Sequence, residues 1–195
     1  MKLIRFLLLL LAAFIPGACS ESPMTYRFIG DSLVTRWDLQ SSFPTLITSN
    51  CGKSGSGIEH LQAYAGKCEG QTVTVMSGTN NCHSLSTREL CEAYAREYVD
   101  ALEAFGAGRV YVFSILPRHF QGKEEAQANV NIRMMNECIR TELAGRGNST
   151  IVYLDVYHEF LDKDGKLNVN LSYDGLHLNP EGYEILTDKL NKEIL

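Results

Sequence analysis

The sequence predicts an α/β protein: a five-stranded parallel sheet sandwiched between helices. Three observations carry that prediction. Short apolar or β-branched runs alternate with helical stretches in the order β, α, β, α, β, α, β, α, β, α, the pattern of parallel strands joined by right-handed crossovers. Residues 110–116 (VYVFSIL) are nearly all apolar, as expected of a parallel strand covered on both faces. The 195 residues, 45% hydrophobic and 21% charged, have the size and balance of one soluble domain with its own core.

Taken in order, the first strand is the apolar run beginning at Tyr26, broken by Gly30-Asp31-Ser32. That break reads as a tight turn which leaves a hydroxyl at the strand's carboxyl end. Residues 36–43 read as helical or irregular, and the β-branched residues 45–48 as a second strand. Glycines in residues 50–57 exclude a regular element, and residues 58–65 read as a helix. The spacing there fits neither a P-loop nor a dinucleotide fingerprint. Residues 71–77 form the third strand, closing on Gly78-Thr79-Asn80-Asn81 before a helix over 87–105. Pro117 stops the fourth strand, and a second long helix over 124–143 leads to the fifth strand, 150–156. Residues 162–170 read as a loop, and Asn179-Pro180-Glu181-Gly182 opens a closing helix with Pro near its first turn.

The N-terminus follows different rules. Lys2 and Arg5 precede an apolar run over 6–15, and Pro16-Gly17-Ala18-Cys19 supplies small residues after it. This is the pattern of an export signal over residues 1–18, and the run is shorter than the roughly 20 apolar residues of a membrane span. Ala18-Cys19 resembles the end of a bacterial lipoprotein signal, with Pro16 where that pattern prefers Leu. Both a lipidated Cys19 as first mature residue and free secretion therefore stay open, and any membrane association is expected only through such a lipid. The domain itself is expected over residues 24–195. Losing Lys2 and Arg5 moves the formal charge from -5 (18 minus 23) to -7 (16 minus 23), which disfavours nucleic acid and anionic membranes as partners.

Five cysteines remain beyond Cys19, and an exported chain meets an oxidising compartment. The odd count fits two disulfides and one thiol. Cys51 and Cys68 flank one short helix, and Cys82 and Cys91 bracket the loop after Asn80. The expected pairs are Cys51 with Cys68 and Cys82 with Cys91, leaving Cys138 unpaired; the alternative, for a chain that is not exported, is five reduced and mostly buried thiols. No HExxH, CxxC or zinc-like Cys/His spacing occurs, so no metal is expected.

Four strand-end turns carry reactive or donor groups: Ser32, Gly55, Asn80, and the pair Asp174 and His177. In a doubly wound sheet the carboxyl ends of the strands share one edge, so these distant residues can meet. Singly, each has a plainer reading: Ser32 as a helix cap, Asp174 as a turn former, Asn80 as a loop residue, His177 as a packed surface side chain.

Jointly, the four blocks resemble those of the SGNH hydrolases, or GDSL esterases and lipases. Gly30-Asp31-Ser32-Leu33, residues 50–55, Gly78-Thr79-Asn80 and Asp174-Gly175-Leu176-His177 occur in the family's order across nearly the whole mature chain. The resemblance implies a three-layer α/β/α, flavodoxin-like fold and acyl-ester hydrolysis through an acyl-enzyme, with no cofactor. It casts Ser32 as nucleophile, His177 as general base and then acid, and Asp174 as the group orienting the imidazole. The backbone N–H groups of Ser32 and Gly55 and the Asn80 amide become the oxyanion hole, with Gly at 55 allowing close backbone approach. Asn81 departs from the acidic residue common there, and Gly-Thr-Asn-Asn with Leu116-Pro117-Arg118 looks like the platelet-activating-factor acetylhydrolase branch.

The expectation is an exported serine esterase acting on small acyl esters such as O-acetyl groups on a glycan. The glycan part rests on export, acidic charge and the lack of a long apolar stretch to serve as a lipid-binding lid. A lipase, lysophospholipase or thioesterase is the alternative among enzymes. A non-catalytic carbohydrate-binding protein on the same fold is the alternative of another class.

Overall fold

The computed structural model describes residues 25–119 and 123–194. The expected signal over residues 1–18 and Cys19 lie outside the described residues. Five strands, β1 (Thr25–Gly30), β2 (Ile47–Gly52), β3 (Thr72–Met76), β4 (Arg109–Phe113) and β5 (Ile151–Leu154), form one sheet in the order β2-β1-β3-β4-β5. Every pairing is parallel. The helices are α1 (Ser32–Thr35), α2 (Leu39–Ser42), α3 (Ile58–Gln62), α4 (Arg88–Glu103), α5 (Lys123–Arg146) and α6 (Pro180–Ile194). The α/β fold with a five-stranded parallel sheet is the one expected.

Side chains alternate across each strand and divide the core in two. Ile29, Val73, Val75, Val110 and Val112 pack with Leu61, Tyr98, Leu102, Ile132 and Met135, so α3, α4 and α5 cover one face. Phe28, Met76, Tyr111, Phe113 and Leu154 pack with Leu33, Val34, Trp37, Leu186 and Leu190, so α1, α2 and α6 cover the other. Burial on both faces explains why β3 and β4 read as apolar runs rather than as alternating ones.

Strand β2 differs most from expectation. It starts two residues late, at Ile47, and runs into the glycine block, where Asn50, Cys51 and Gly52 stay in register with Phe28, Ile29 and Gly30. The Asn50 side chain makes this regular: its amide donates to the Val34 carbonyl at 2.8 Å, and its oxygen accepts from the Gly52 N–H at 3.0 Å. Residues 162–170, expected as a loop, hold a short 3₁₀ turn at their end, Val169–Leu171.

From β1 the chain steps to β2 on one side and then back past β1 to β3 on the other. The order reverses there, and the carboxyl ends of β1 and β3 open a crevice for ligands. Ser32 follows β1 and Asn80 follows β3.

Three buried asparagines of α5 brace this edge. Asn136 exchanges two hydrogen bonds with the backbone of Ile115, both 2.8 Å, and Asn129 two with that of Arg118, at 2.9 and 2.8 Å. Asn131 donates to the Cys82 carbonyl at 2.7 Å. Backbone beyond a strand end loses its ladder partners, and an inward amide supplies both donor and acceptor in their place.

The cysteine pairing is corrected. Cys51, Cys68, Cys82, Cys91 and Cys138 are all thiols, and no disulfide joins them among the described residues. The Cys82 sulfur sits 3.4 Å from Arg118 Nη1, whereas Cys91 donates to the Leu85 carbonyl at 3.4 Å. Likewise Cys51 lies against Ser49 Oγ at 3.5 Å, while Cys68 faces Arg27 Nη1 at 3.9 Å. The sulfurs of each expected pair make these contacts in place of a bond, and bridging requires specific Cβ separations and directions. Flanking one loop in sequence does not supply them.

Candidate active site

The turn after β1 is forced by packing. A Cβ on Gly30 would collide with the Met76 carbonyl of neighbouring β3, so only glycine lets the two strands run this close before the chain turns. The Asp31 N–H then bonds that same carbonyl, at 3.2 Å. Asp31 caps α1, its carboxylate accepting from the Leu33 N–H at 2.9 Å. The helix cap is thus Asp31 and not Ser32, and the Ser32 hydroxyl is left for other work. As first residue of α1, Ser32 also has a backbone N–H with no intrahelical acceptor.

That hydroxyl meets His177. Nε2 of the imidazole lies 3.0 Å from Ser32 Oγ, and Nδ1 lies 2.7 Å from Asp174 Oδ2. Asp174 also accepts from the backbone N–H groups of Leu176 and His177 at 3.0 and 2.7 Å, which closes the turn that carries both side chains. Partial burial works against the Asp174 charge. The hydrogen bonds from the His177 ring, the His177 N–H and the Leu176 N–H outweigh it and bring the carboxyl down to about 2. An ionised Asp174 holds the proton on Nδ1, which turns the Nε2 lone pair toward Ser32.

Glycine at 175 lets this turn form. Its φ is +82°, and a Cβ would run into the His119 carbonyl. The His119 N–H bonds the Gly175 carbonyl at 2.8 Å, tying the turn to the segment after β4.

The oxyanion candidates surround the same strand end. The Lys53 N–H bonds the Gly30 carbonyl at 2.9 Å, docking the glycine turn onto the end of β1. Asn80 donates one amide hydrogen to the Ser56 carbonyl at 2.8 Å, and its second hydrogen remains for a ligand. Gly55 is exposed with φ +76°, and a Cβ there would meet nothing within 4 Å. Residue 55 has the left-handed backbone that favours glycine, and no neighbouring protein atom crowds it. A close approach falls at Gly57, where a Cβ would strike the Asn81 amide, itself fixed by Tyr94 Oη at 3.3 Å from its oxygen. Asn81 thus acts inside the loop rather than at its mouth.

Beneath the nucleophile lies a group the sequence did not single out. Asp31 is fully buried, its Oδ2 has no hydrogen-bond partner among the described residues, and burial pushes its carboxyl up to about 7 against the Leu33 N–H and the Arg118 charge. Arg118 in turn donates to the Thr79 carbonyl at 3.1 Å. Arg118 and the α5 asparagines hold the Asn80 loop from below. Only the polar residues on the inner face of α5 could have signalled this in the sequence. The other histidines stand apart from Ser32: His60 bonds the Cys51 carbonyl, His119 the Leu167 carbonyl, His158 packs edge-on against Tyr157, and His83 is exposed. Among the described residues no three His, Cys, Asp or Glu side chains gather as metal ligands would.

The GDSL-like lipase/acylhydrolase family matches residues 28–185. No curated protein sequence matches the chain. Similar solved structures include a Streptococcus pneumoniae protein described as a platelet activating factor, 24% identical over 91% of this chain and 86% of that one, with a TM-score of 0.69. A GDSL-like lipase of Bacteroides thetaiotaomicron is 20% identical over 87% of each chain, with a TM-score of 0.67. An acetylxylan esterase of Geobacillus stearothermophilus is 17% identical over 88% of this chain and 94% of that one, with a TM-score of 0.61.

Proposed function

Because the chain belongs to the GDSL-like lipase/acylhydrolase family and is a serine ester hydrolase, we propose that Ser32, His177 and Asp174 are its catalytic residues and that it removes small acyl groups, acetyl first, from carbohydrate esters. The observation that carries this reading is the unbroken chain of hydrogen bonds from Asp174 through His177 to Ser32.

Ser32 Oγ attacks the ester carbonyl carbon while His177 Nε2 takes its proton, and Asp174 stabilises the imidazolium that forms. Negative charge gathers on the former carbonyl oxygen, where the N–H groups of Ser32 and Gly55 and the Asn80 amide receive it. The tetrahedral adduct collapses, the C–O bond to the alcohol breaks, and the alcohol leaves with the proton held on His177. Water then repeats the sequence on the acyl-enzyme, returning the acid and Ser32.

Short acyl groups are favoured by the likeness to an acetylxylan esterase along 94% of that enzyme, and by Gly78-Thr79-Asn80-Asn81. Action outside the cytoplasm follows from the signal pattern of residues 1–18. A panel of p-nitrophenyl esters from acetyl to long chains, run beside acetylated polysaccharides, tests the reading. Acetyl is expected to turn over fastest, with acetate released from polysaccharide. A preference for long chains would replace it with a lipase.

A further inference from the structure

A cleft of about 590 Å³ lies between the α1–α2 segment and α6, lined by Arg36, Asp38, Tyr173, Tyr183, Glu184 and Asp188 among others. That volume falls in the range of roughly 300–1,000 Å³ usual for small-molecule sites. The triad side chains do not line it, but its lining adjoins them along the chain on three counts. Tyr173 immediately precedes Asp174, the lining residue Leu178 immediately follows His177, and the Arg36 N–H bonds the Ser32 carbonyl at 3.1 Å.

Tyr173 leaves 71% of its surface exposed, the largest value among the exposed large hydrophobic residues. Its backbone is nonetheless held, the N–H bonding the His177 carbonyl at 2.9 Å. An exposed ring on an ordered backbone is a platform for a partly apolar, partly polar ligand. Among the described residues, Arg36, Glu184 and Asp188 form no ion pair with one another or with other side chains. Tyr183, by contrast, is structural: its hydroxyl donates to the Leu33 carbonyl at 2.7 Å and forms the cleft floor.

These walls select among ligands. An acyl chain laid here would strip water from carboxylates and return no hydrogen bond. An anionic headgroup would meet three carboxylates against one guanidinium. A neutral sugar fits both features, since its hydroxyls donate to Asp38, Glu184 and Asp188 and accept from Arg36, while its C–H face covers the Tyr173 ring.

We propose that this cleft binds a neutral sugar ring of the substrate's alcohol portion, with Tyr173 as stacking platform and Asp188, on α6, as a polar contact. The proposal deepens the acetylated-carbohydrate reading and rests on it. Wild type, Tyr173→Ala, Tyr173→Phe and Asp188→Ala would be assayed on p-nitrophenyl acetate and on acetylated xylo- and manno-oligosaccharides. The ratio of kcat/KM for oligosaccharide over p-nitrophenyl acetate is expected to fall about tenfold in Tyr173→Ala and Asp188→Ala, through KM, the size of one lost aromatic contact or one lost hydrogen bond to a carboxylate. Tyr173→Phe should keep the ratio. An unchanged ratio in both alanine variants, which includes equal losses on the two substrates, would overturn the proposal. A readout independent of turnover is calorimetric titration of Ser32→Ala with the deacetylated oligosaccharides. Binding that weakens when Tyr173→Ala is added supports the cleft, and no binding at millimolar sugar overturns it. Binding without any esterase activity in wild type would overturn the catalytic reading while upholding the cleft.

Discussion

At the turn after β1, two adjacent side chains divide the labour that a serine at a strand-to-helix junction could otherwise combine. Asp31 caps α1 and Ser32 faces His177. Ser32→Ala should therefore abolish ester hydrolysis with little change in stability, since its hydroxyl caps nothing; near-normal turnover in a folded variant would refute the mechanism. Asp174→Asn should lose less than Ser32→Ala, because nucleophile and base remain while orientation and charge stabilisation go; comparing the two kcat values checks the order. Asp31 makes a separate prediction about stability. Its folded carboxyl, at about 7, lies above its ordinary 3.8, so between these values the folded state keeps a proton that the unfolded state releases. Stability from this group is full below about pH 4, falls by at most ~1.4 kcal/mol per unit as pH rises toward 7, and is flat above. Asp31→Asn keeps a capping acceptor and should remove that slope. Urea unfolding from pH 4 to 8 measures it, and parallel curves for the two proteins would contradict the assignment.

Among the elements, the site depends on turns that only particular residues allow. Gly175 sits between Asp174 and His177 at φ +82° with the His119 carbonyl where a Cβ would go. Gly175→Ala should destabilise the fold by at least about 1–2 kcal/mol from the left-handed backbone alone, and should lower kcat further by shifting the His177 ring. Thermal unfolding and turnover measured together check this, and a variant with unchanged Tm and kcat would contradict it. Long helices α4 and α5 were legible in the sequence to within a few residues because their patterns persist over many turns. The late start and glycine-rich end of β2 were not, because its register is set by pairing with β1 and by the Asn50 side chain rather than by β propensity.

For the molecule as a whole, the strand order brings the ends of β1 and β3 together at the reversal point, with the Asp174–His177 turn folded over them. The thiols bear on stability at this scale. With Cys68, Cys82, Cys91 and Cys138 buried as thiols, packing and hydrogen bonds hold the fold, so reductant should leave Tm unchanged. A drop of several degrees on reduction, or a mapped Cys51–Cys68 or Cys82–Cys91 bond, would contradict the thiol assignment.

The alternation of short apolar runs with helices, together with four polar blocks in fixed order, was enough to determine the parallel α/β fold, the family and the candidate residues Ser32, Gly55, Asn80, Asp174 and His177. These are local properties: hydrophobic periodicity belongs to one element, and a motif to a few adjacent residues. Tertiary structure alone decided the rest. It made Asp31 rather than Ser32 the cap, packed other chain segments tightly against Gly30 and Gly57, left the cysteines as thiols, and set Arg118 and the asparagines of α5 beneath the oxyanion loop. Each of these turns on which backbone lies across from a residue distant in sequence, and spacing along the chain does not encode direction in space.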